Sequence, residues 1–277
     1  MPDNQPELLC DGLAFPEGPA FDRQNNLFVV NLGNGDITRA SPDGTKSLFV
    51  NTGGKPNGER FHHDGTLWVA DAGRKAILRI APKGEIEVIA DQCDGRPFRG
   101  PNDLVFDREG NLYFTDPVDS NLENRIGCVY FIPRGGRPVR VDEGLAFPNG
   151  IALSHDERWL YYAETNTRRI HRAQRRPDGT LEPRSLFVQL PESGAGPDGI
   201  AFDEKGRLYV AHYGRGVIEI VEPDGKISQE LPAGGQNPTN LAFGGPYRTS
   251  IYITEAETNC VYRLEVGAKG QTLFGDA

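Results

Sequence analysis

Six times along this chain a proline introduces a residue that is usually polar and then a short apolar run. The copies read FPEGPAFD (15–22), KPNGERFHHDGTLWVAD (55–71), GPNDLVFDREGNLYFTD (100–116), FPNGIALSHDERWLYYAE (147–164), GPDGIAFDEKGRLYVAH (196–212) and NPTNLAFGG (237–245). The residues after the prolines are Glu17, Asn57, Asn102, Asn149, Asp198 and Thr239, at spacings of 40, 45, 47, 49 and 41. A period of about 40 to 50 residues is the size of one four-stranded propeller blade.

The strands of a unit can be read in the third copy. Leu104–Phe106 is a short apolar run closed by the turn signal Asp-Arg-Glu-Gly, and Leu112–Thr115 returns as an aromatic and β-branched strand. Cys128–Ile132 and Pro138–Val141 supply two more strands around the Gly135-Gly136 turn. No segment sustains a helical period. Short antiparallel strands alone would also suit a sandwich, but the repeat selects an all-β, six-bladed propeller, one domain over residues 1–277. Ring closure requires one blade built from both ends of the chain, or an edge strand is left open. Glu7–Cys10 and Gln271–Phe274 both resemble the missing outer strand.

In a propeller the first strand of each blade lines the central channel, so residues at one offset converge at one depth. Glu17, Asn57, Asn102, Asn149, Asp198 and Thr239 are therefore expected to ring one mouth. Two carboxylates and several amide oxygens, with no Cys or His, suit a hard divalent cation: Ca²⁺ first, then Mg²⁺ or Mn²⁺, with Zn²⁺ also accepting carboxylate oxygen. The bland alternative is side chains bonding nearby backbone as Asx turns do. That reading suits Asn57 and Thr239 and fits Glu17 poorly.

Composition narrows the partners. The net charge is −9, where a nucleic-acid or anionic-membrane partner would call for a basic patch. MPDNQPELLC has neither part of a signal peptide, and no run of about 18 apolar residues could span a bilayer. A cytoplasmic protein is expected, with Cys10, Cys93, Cys128 and Cys260 as reduced, buried thiols. A Cys10–Cys260 bridge joining the chain ends is the alternative. The 34 glycines and 21 prolines, about a fifth of the chain, fit a turn-rich fold.

FPEGP, PNDLVFDREGNLYFTDP, FPNGIALSHDERWLYYAET and GPDGIAFDEKGRLYVA, in that order, resemble the senescence-marker-protein / gluconolactonase / luciferin-regenerating-enzyme family over essentially the whole chain. The resemblance implies a six-bladed propeller with one divalent metal in its channel and hydrolysis of a lactone. It assigns Glu17, Asn149 and Asp198 as metal ligands and Asn102 as a substrate contact, a direct calcium ligand in related organophosphatase propellers. It also assigns Asp198 as proton acceptor and donor. Sugar-lactonase members most like the mammalian protein carry an arginine two residues before the asparagine. Here Gly100 holds that place and Arg99 lies one residue away, a candidate substrate contact. The fourth motif also resembles strictosidine-synthase-like propellers, more weakly.

On this reading a cation polarises the ester carbonyl while a carboxylate takes a proton from water. Asp198 is preferred as that base and Asp103 is its rival, because ligation weakens a carboxylate as a base. Asp119, with Asn121, lies in a long loop suited to a lid. His212, at the end of a second strand, is a further candidate substrate contact. His62, His63 and His155 fall at turns and are expected to be exposed. Asp71, Asp116, Glu164 and Glu255 end second strands and are expected to cap turns or pair between blades. The basic run Arg168, Arg169, Arg172, Arg175 and Arg176 is expected to be a solvated face. Two rival readings remain: a phosphotriesterase or esterase on the same site, and a non-catalytic ligand-binding propeller with a structural cation.

Overall fold

The computed structural model describes residues 5–276. They form six antiparallel four-stranded sheets and one short hairpin, Gln92–Cys93 with Arg96–Pro97. The innermost strands are Pro16–Phe21, Pro56–Phe61, Leu104–Phe106, Pro148–Leu153, Gly196–Phe202 and Pro238–Gly244. Each packs against the innermost strand of the next blade, and Pro238–Gly244 also packs against Pro16–Phe21. The sheets therefore close into the six-bladed propeller that the repeat predicts.

Closure falls to the N-terminal strand. Glu7–Cys10 pairs antiparallel with Cys260–Glu265 as the outer strand of the sixth blade. Gln271–Phe274 has another use: it crosses the channel end farther from the polar ring, and Gln271 N donates to Phe202 O at 3.0 Å. All four cysteines are free and buried, so the chain ends are joined by strand pairing and no disulfide is present. Among the described residues no helix is long and apolar enough to cross a membrane.

The third blade follows its predicted strands closely: Leu104–Phe106, Leu112–Asp116, Gly127–Ile132 and Val139–Leu145. Its outer strand runs four residues past the predicted end because register shifts at Gly127/Cys128 and Val129/Tyr130 let pairing continue. Between the first two strands, the Asp107 carboxylate accepts from the backbone N–H groups of Glu109 and Asn111. This is the Asx turn that the Asp-x-x-Gly signal encodes. Asp22 and Asp203 do the same in the first and fifth blades.

Apolar side chains are packed between neighbouring sheets. Phe98, Leu104, Phe114 and Tyr130 form one such cluster with Ala70 and Ile77 of the preceding blade, and Phe114 stacks on Tyr130 at 5.1 Å. Burying a side chain of this size stabilises by roughly 1.5–3 kcal/mol, which makes the blade-to-blade seams the main source of cohesion.

Two expectations are corrected. His62 and His63 are half-buried, because Phe274 packs on them at 4.9 and 4.7 Å. Arg175 leaves the solvated basic face and lies between blades, bonded to Asp107 Oδ2 at 2.5 Å and to the Tyr113 hydroxyl at 2.9 Å. A buried carboxylate and phenol there offer it better partners than water.

Candidate functional site

Five of the six inner strands begin at their proline or one residue before it, and each breaks register just beyond it. The shifts fall at Glu17/Ala20, Pro56/Glu59, Pro148/Ile151, Pro197/Ile200 and Pro238/Asn240. A bulge turns the side chain next to it out of the normal alternation, and proline is tolerated there as the first strand residue. The third blade reaches the same end differently. Asn102 and Asp103 precede its short strand, held by Asn102 N to Thr115 O at 2.9 Å and Thr115 N to Asp103 O at 3.0 Å. Repeated proline and repeated bulge thus deliver one polar residue per blade to one level.

All six ring residues are buried, Glu17 with 3 % and Asp198 with 8 % of its surface exposed. Asn149 Nδ2 donates to Thr165 Oγ1 at 3.1 Å, and Thr165 Oγ1 donates to Pro197 O at 2.7 Å. The Asn149 side chain also lies beside Asp198 and opposes the rise of its pKa. Glu17, Asn149 and Asp198, distant in sequence, are therefore neighbours. Thr239 is spent as a strut between the last and first blades, its hydroxyl 2.7 Å from Pro16 O.

The position following the ring explains how closely the strands approach. It reads Gly18, Gly58, Asp103, Gly150, Gly199 and Asn240. A Cβ on Gly58 would lie 2.3 Å from Asp103 Oδ1, and one on Gly199 2.1 Å from Asn240 Oδ1. Glycine leaves the room that Asp103 and Asn240 occupy. The Asn240 side chain lies beside both Glu17 and Asp103 and opposes the rise of each. Sequence reasoning missed Asn240, although the same alignment moved one residue along marks it and Asp103 as the two exceptions to glycine.

The electrostatics of this centre are unbalanced. Burial pushes the Glu17 carboxyl up to about 8, against the pull of the Gly18 N–H, with the Asp103 charge adding to the rise. Burial and then the Glu17 charge hold Asp198 well above the usual carboxylate range. Asp103 is also raised by burial, opposed first by Arg60, whose Nη2 lies 3.9 Å from Asp103 Oδ1. Three buried acids thus face one guanidinium. Neighbouring carboxyls cannot all ionise in a buried space without a further positive charge. Among the described residues no group of three or more His, Cys, Asp or Glu forms a metal cluster. Two carboxylates completed by amide oxygens is instead the donor set that a hard divalent cation accepts.

The remaining candidates are placed as follows. Arg99 is exposed and precedes the ring on the third blade, its backbone N–H donating to Asp116 Oδ2 at 3.0 Å. Asp119 is exposed in the loop after the second strand of that blade, which packs against Gly100 through Val118. Both lie at the ring end of the channel. His212 has no exposed surface; its Nδ1 lies 2.8 Å from Glu219 Oε1, which Arg215 also holds at 2.7 Å. A ligand reaches that imidazole only if its surroundings move. Asp71, Asp116, Glu164 and Glu255 accept backbone N–H groups from the segments leading into the inner strands, as in Ala146 N to Glu164 Oε1 at 2.7 Å. Glu164 also binds His171 Nε2 at 2.8 Å.

Fold and site together define a six-bladed propeller with an acidic, oxygen-rich ring buried in its channel. The family described as the SMP-30/Gluconolactonase/LRE-like region matches residues 15–257. The chain belongs to that family. It is 31 % identical over 202 residues to diisopropyl-fluorophosphatase of Loligo vulgaris, a match covering 68 % of this chain and 64 % of that protein. It is 27 % identical over 192 residues to pentonolactonase XacC of Haloferax volcanii, covering 62 % of this chain and 65 % of that one. The matched regions thus span just under two thirds of those relatives' lengths. A solved gluconolactonase from Xanthomonas campestris superposes with a TM-score of 0.83 at 28 % identity, covering 93 % of this chain and 88 % of that one.

Proposed function

We propose that this protein hydrolyses a small lactone at the ring. The observation that carries the reading is the buried pair of acids, Glu17 and Asp198, both raised by burial, with the Glu17 charge raising Asp198 further beside Asn149. A purely structural repeat has no use for two unneutralised carboxyls at the centre of its channel. Glu17, Asn149, Asp198 and Asn102 are the residues that would hold one divalent cation, Ca²⁺ first. Such an ion supplies Lewis-acid polarisation of an ester carbonyl.

The chain's own groups supply the rest. Asn102 orients the substrate by hydrogen bonding through its amide. Asp198 accepts the proton of the attacking water and returns it to the leaving alkoxide, with Asp103 the competing acceptor. Arg60 keeps Asp103 closer to ionised than burial alone would, and Asn240 favours the ionised forms of both Asp103 and Glu17. Arg99 and Asp119, on the exposed loops of the third blade, contact the part of the substrate that projects from the channel. His212, the further candidate substrate contact, would be reached only if the residues that bury it move.

The experiment compares Asp198→Asn and Asp103→Asn in lactone turnover and in bound cation. The variant that loses turnover while retaining cation identifies the base. Chelation should abolish hydrolysis without loss of fold, and hydrolysis that persists after chelation refutes the cation-dependent reading. A second reading, a phosphotriester substrate for the same residues, is favoured by the similarity to the fluorophosphatase. A panel holding both ester classes separates them.

A further inference from the structure

The channel has a second half that the ring does not use. Three residues beyond each ring position stand Ala20, Arg60, Val105, Ala152, Ala201 and Ala242. All six line a cavity of about 480 Å³ at the far end of the channel. Four alanines in one layer leave the space open. One residue further on, Phe21, Phe61, Phe106, Leu153, Phe202 and Phe243 form its apolar rim. The volume lies within the roughly 300–1,000 Å³ of pockets that hold small molecules.

The segment Gln271–Asp276 roofs this space and is firmly tied down. Arg248 binds Asp276 Oδ2 at 2.5 Å and Thr272 Oγ1 at 2.8 Å, and Gln271 Nε2 donates to Leu153 O at 3.2 Å. The roof does not fill the cavity, since Leu273 keeps 40 % of its surface exposed. Two polar atoms on the lining residues, Gln271 Oε1 and His63 Nδ1, are buried without a hydrogen-bond partner. The formal charges on the wall are all matched: Arg60 by Asp103, Arg108 by Glu157, and Asp276 by Arg248. Nothing there selects an ion, while an apolar body carrying one hydrogen-bonding group meets every surface.

We propose that this far half of the channel is a second binding site, for a small uncharged molecule that is mostly apolar and carries one hydroxyl, of which an aromatic alcohol is the simplest example. Its ring fills the space left by the alanines inside the phenylalanine rim, and its hydroxyl donates to Gln271 Oε1. The inference is independent of the lactonase reading, because its test contains no lactone.

The probe is 2-(4-bromophenyl)ethanol. Titrated into the full chain in solution, it should saturate at one molecule per chain. Ala201→Leu and Ala242→Leu, which narrow the cavity, should each weaken binding about tenfold or more. In crystals soaked with it, anomalous bromine signal should lie between the alanine layer and the Gln271–Asp276 roof. Should either alanine variant fail to fold, as judged by far-ultraviolet circular dichroism, Gln271→Leu takes its place with an expected several-fold loss. The proposal is overturned by an absence of saturable binding up to the solubility limit, which would mean that water alone occupies the cavity. Bromine located at the ring, or affinity unchanged in every folded variant, overturns it equally.

Discussion

The Thr239 hydroxyl donates a 2.7 Å hydrogen bond to the carbonyl of Pro16, across 223 residues of sequence. This bond clips the last blade to the first immediately beside Glu17. Thr115 makes the corresponding bond to Asn149 O at 2.8 Å, and Thr165 to Pro197 O at 2.7 Å. These hydroxyls therefore tie each of the three blades to the inner strand of the next at the level where the acids converge.

Replacing Thr239 by valine preserves shape but leaves the Pro16 carbonyl without this donor. A buried acceptor deprived of its partner costs about 1–3 kcal/mol, and a loss of that size is expected in urea unfolding. Because Glu17 adjoins Pro16, cation affinity should fall as well. A change under about 0.5 kcal/mol would show that the bond contributes nothing net.

The cation-free protein should become less stable as the solution is made more alkaline. Glu17 ionises near 4.5 when unfolded and at about 8 when folded. Between those values the folded chain holds a proton that the unfolded chain has lost. Stability is therefore fully present below about pH 4.5 and declines as pH rises toward 8, by up to roughly 1.4 kcal/mol per unit for each such proton. Asp198 shifts in the same direction. Denaturation midpoints of chelated protein at pH 5, 6.5 and 8 should fall in that order. Glu17→Gln should flatten the slope, and added divalent cation should restore stability at pH 8. A flat profile in the unsubstituted chain would contradict the electrostatic account of the ring.

Gly199→Ala tests the close approach of the strands. The added methyl would lie 2.1 Å from Asn240 Oδ1 and 2.6 Å from its Cα, so a side-chain rotation alone cannot relieve the clash. Overpacking of this kind costs roughly 1–3 kcal/mol. It should also displace Asn240 from Glu17 and Asp103, lowering turnover in whatever fraction remains folded. Unaltered stability together with unaltered turnover would mean that Asn240 has freedom the packing denies it.

Much of this architecture is legible in the sequence because a repeat converts position into depth. Aligning six prolines is enough to place Glu17, Asn149 and Asp198 at one level and to identify the inner strands. The bulges that turn those residues inward leave no comparable signature, so the local cause of the ring is seen only in the strand register. Asn240 escaped because it takes its meaning from two partners on other blades, Glu17 and Asp103. Arg175 and the histidine pair His62 and His63 were misjudged for a related reason: their surroundings come from sequence far away, Asp107 for one and Phe274 for the other. The choice of closing strand was a contest between two similar segments, and only pairing with Cys260–Glu265 decides it.

That pairing has a consequence for how the molecule is made. Glu7–Cys10 is made before its partner Cys260–Glu265, with every other blade strand lying between them in sequence. Each blade can form its local hairpins during synthesis, but the ring cannot shut until the final sheet exists to receive the waiting strand. Contacts of such sequence separation are slow to form. Assembly should therefore end in a single late step, in which Glu7–Cys10 completes the sixth sheet and that blade packs against the first.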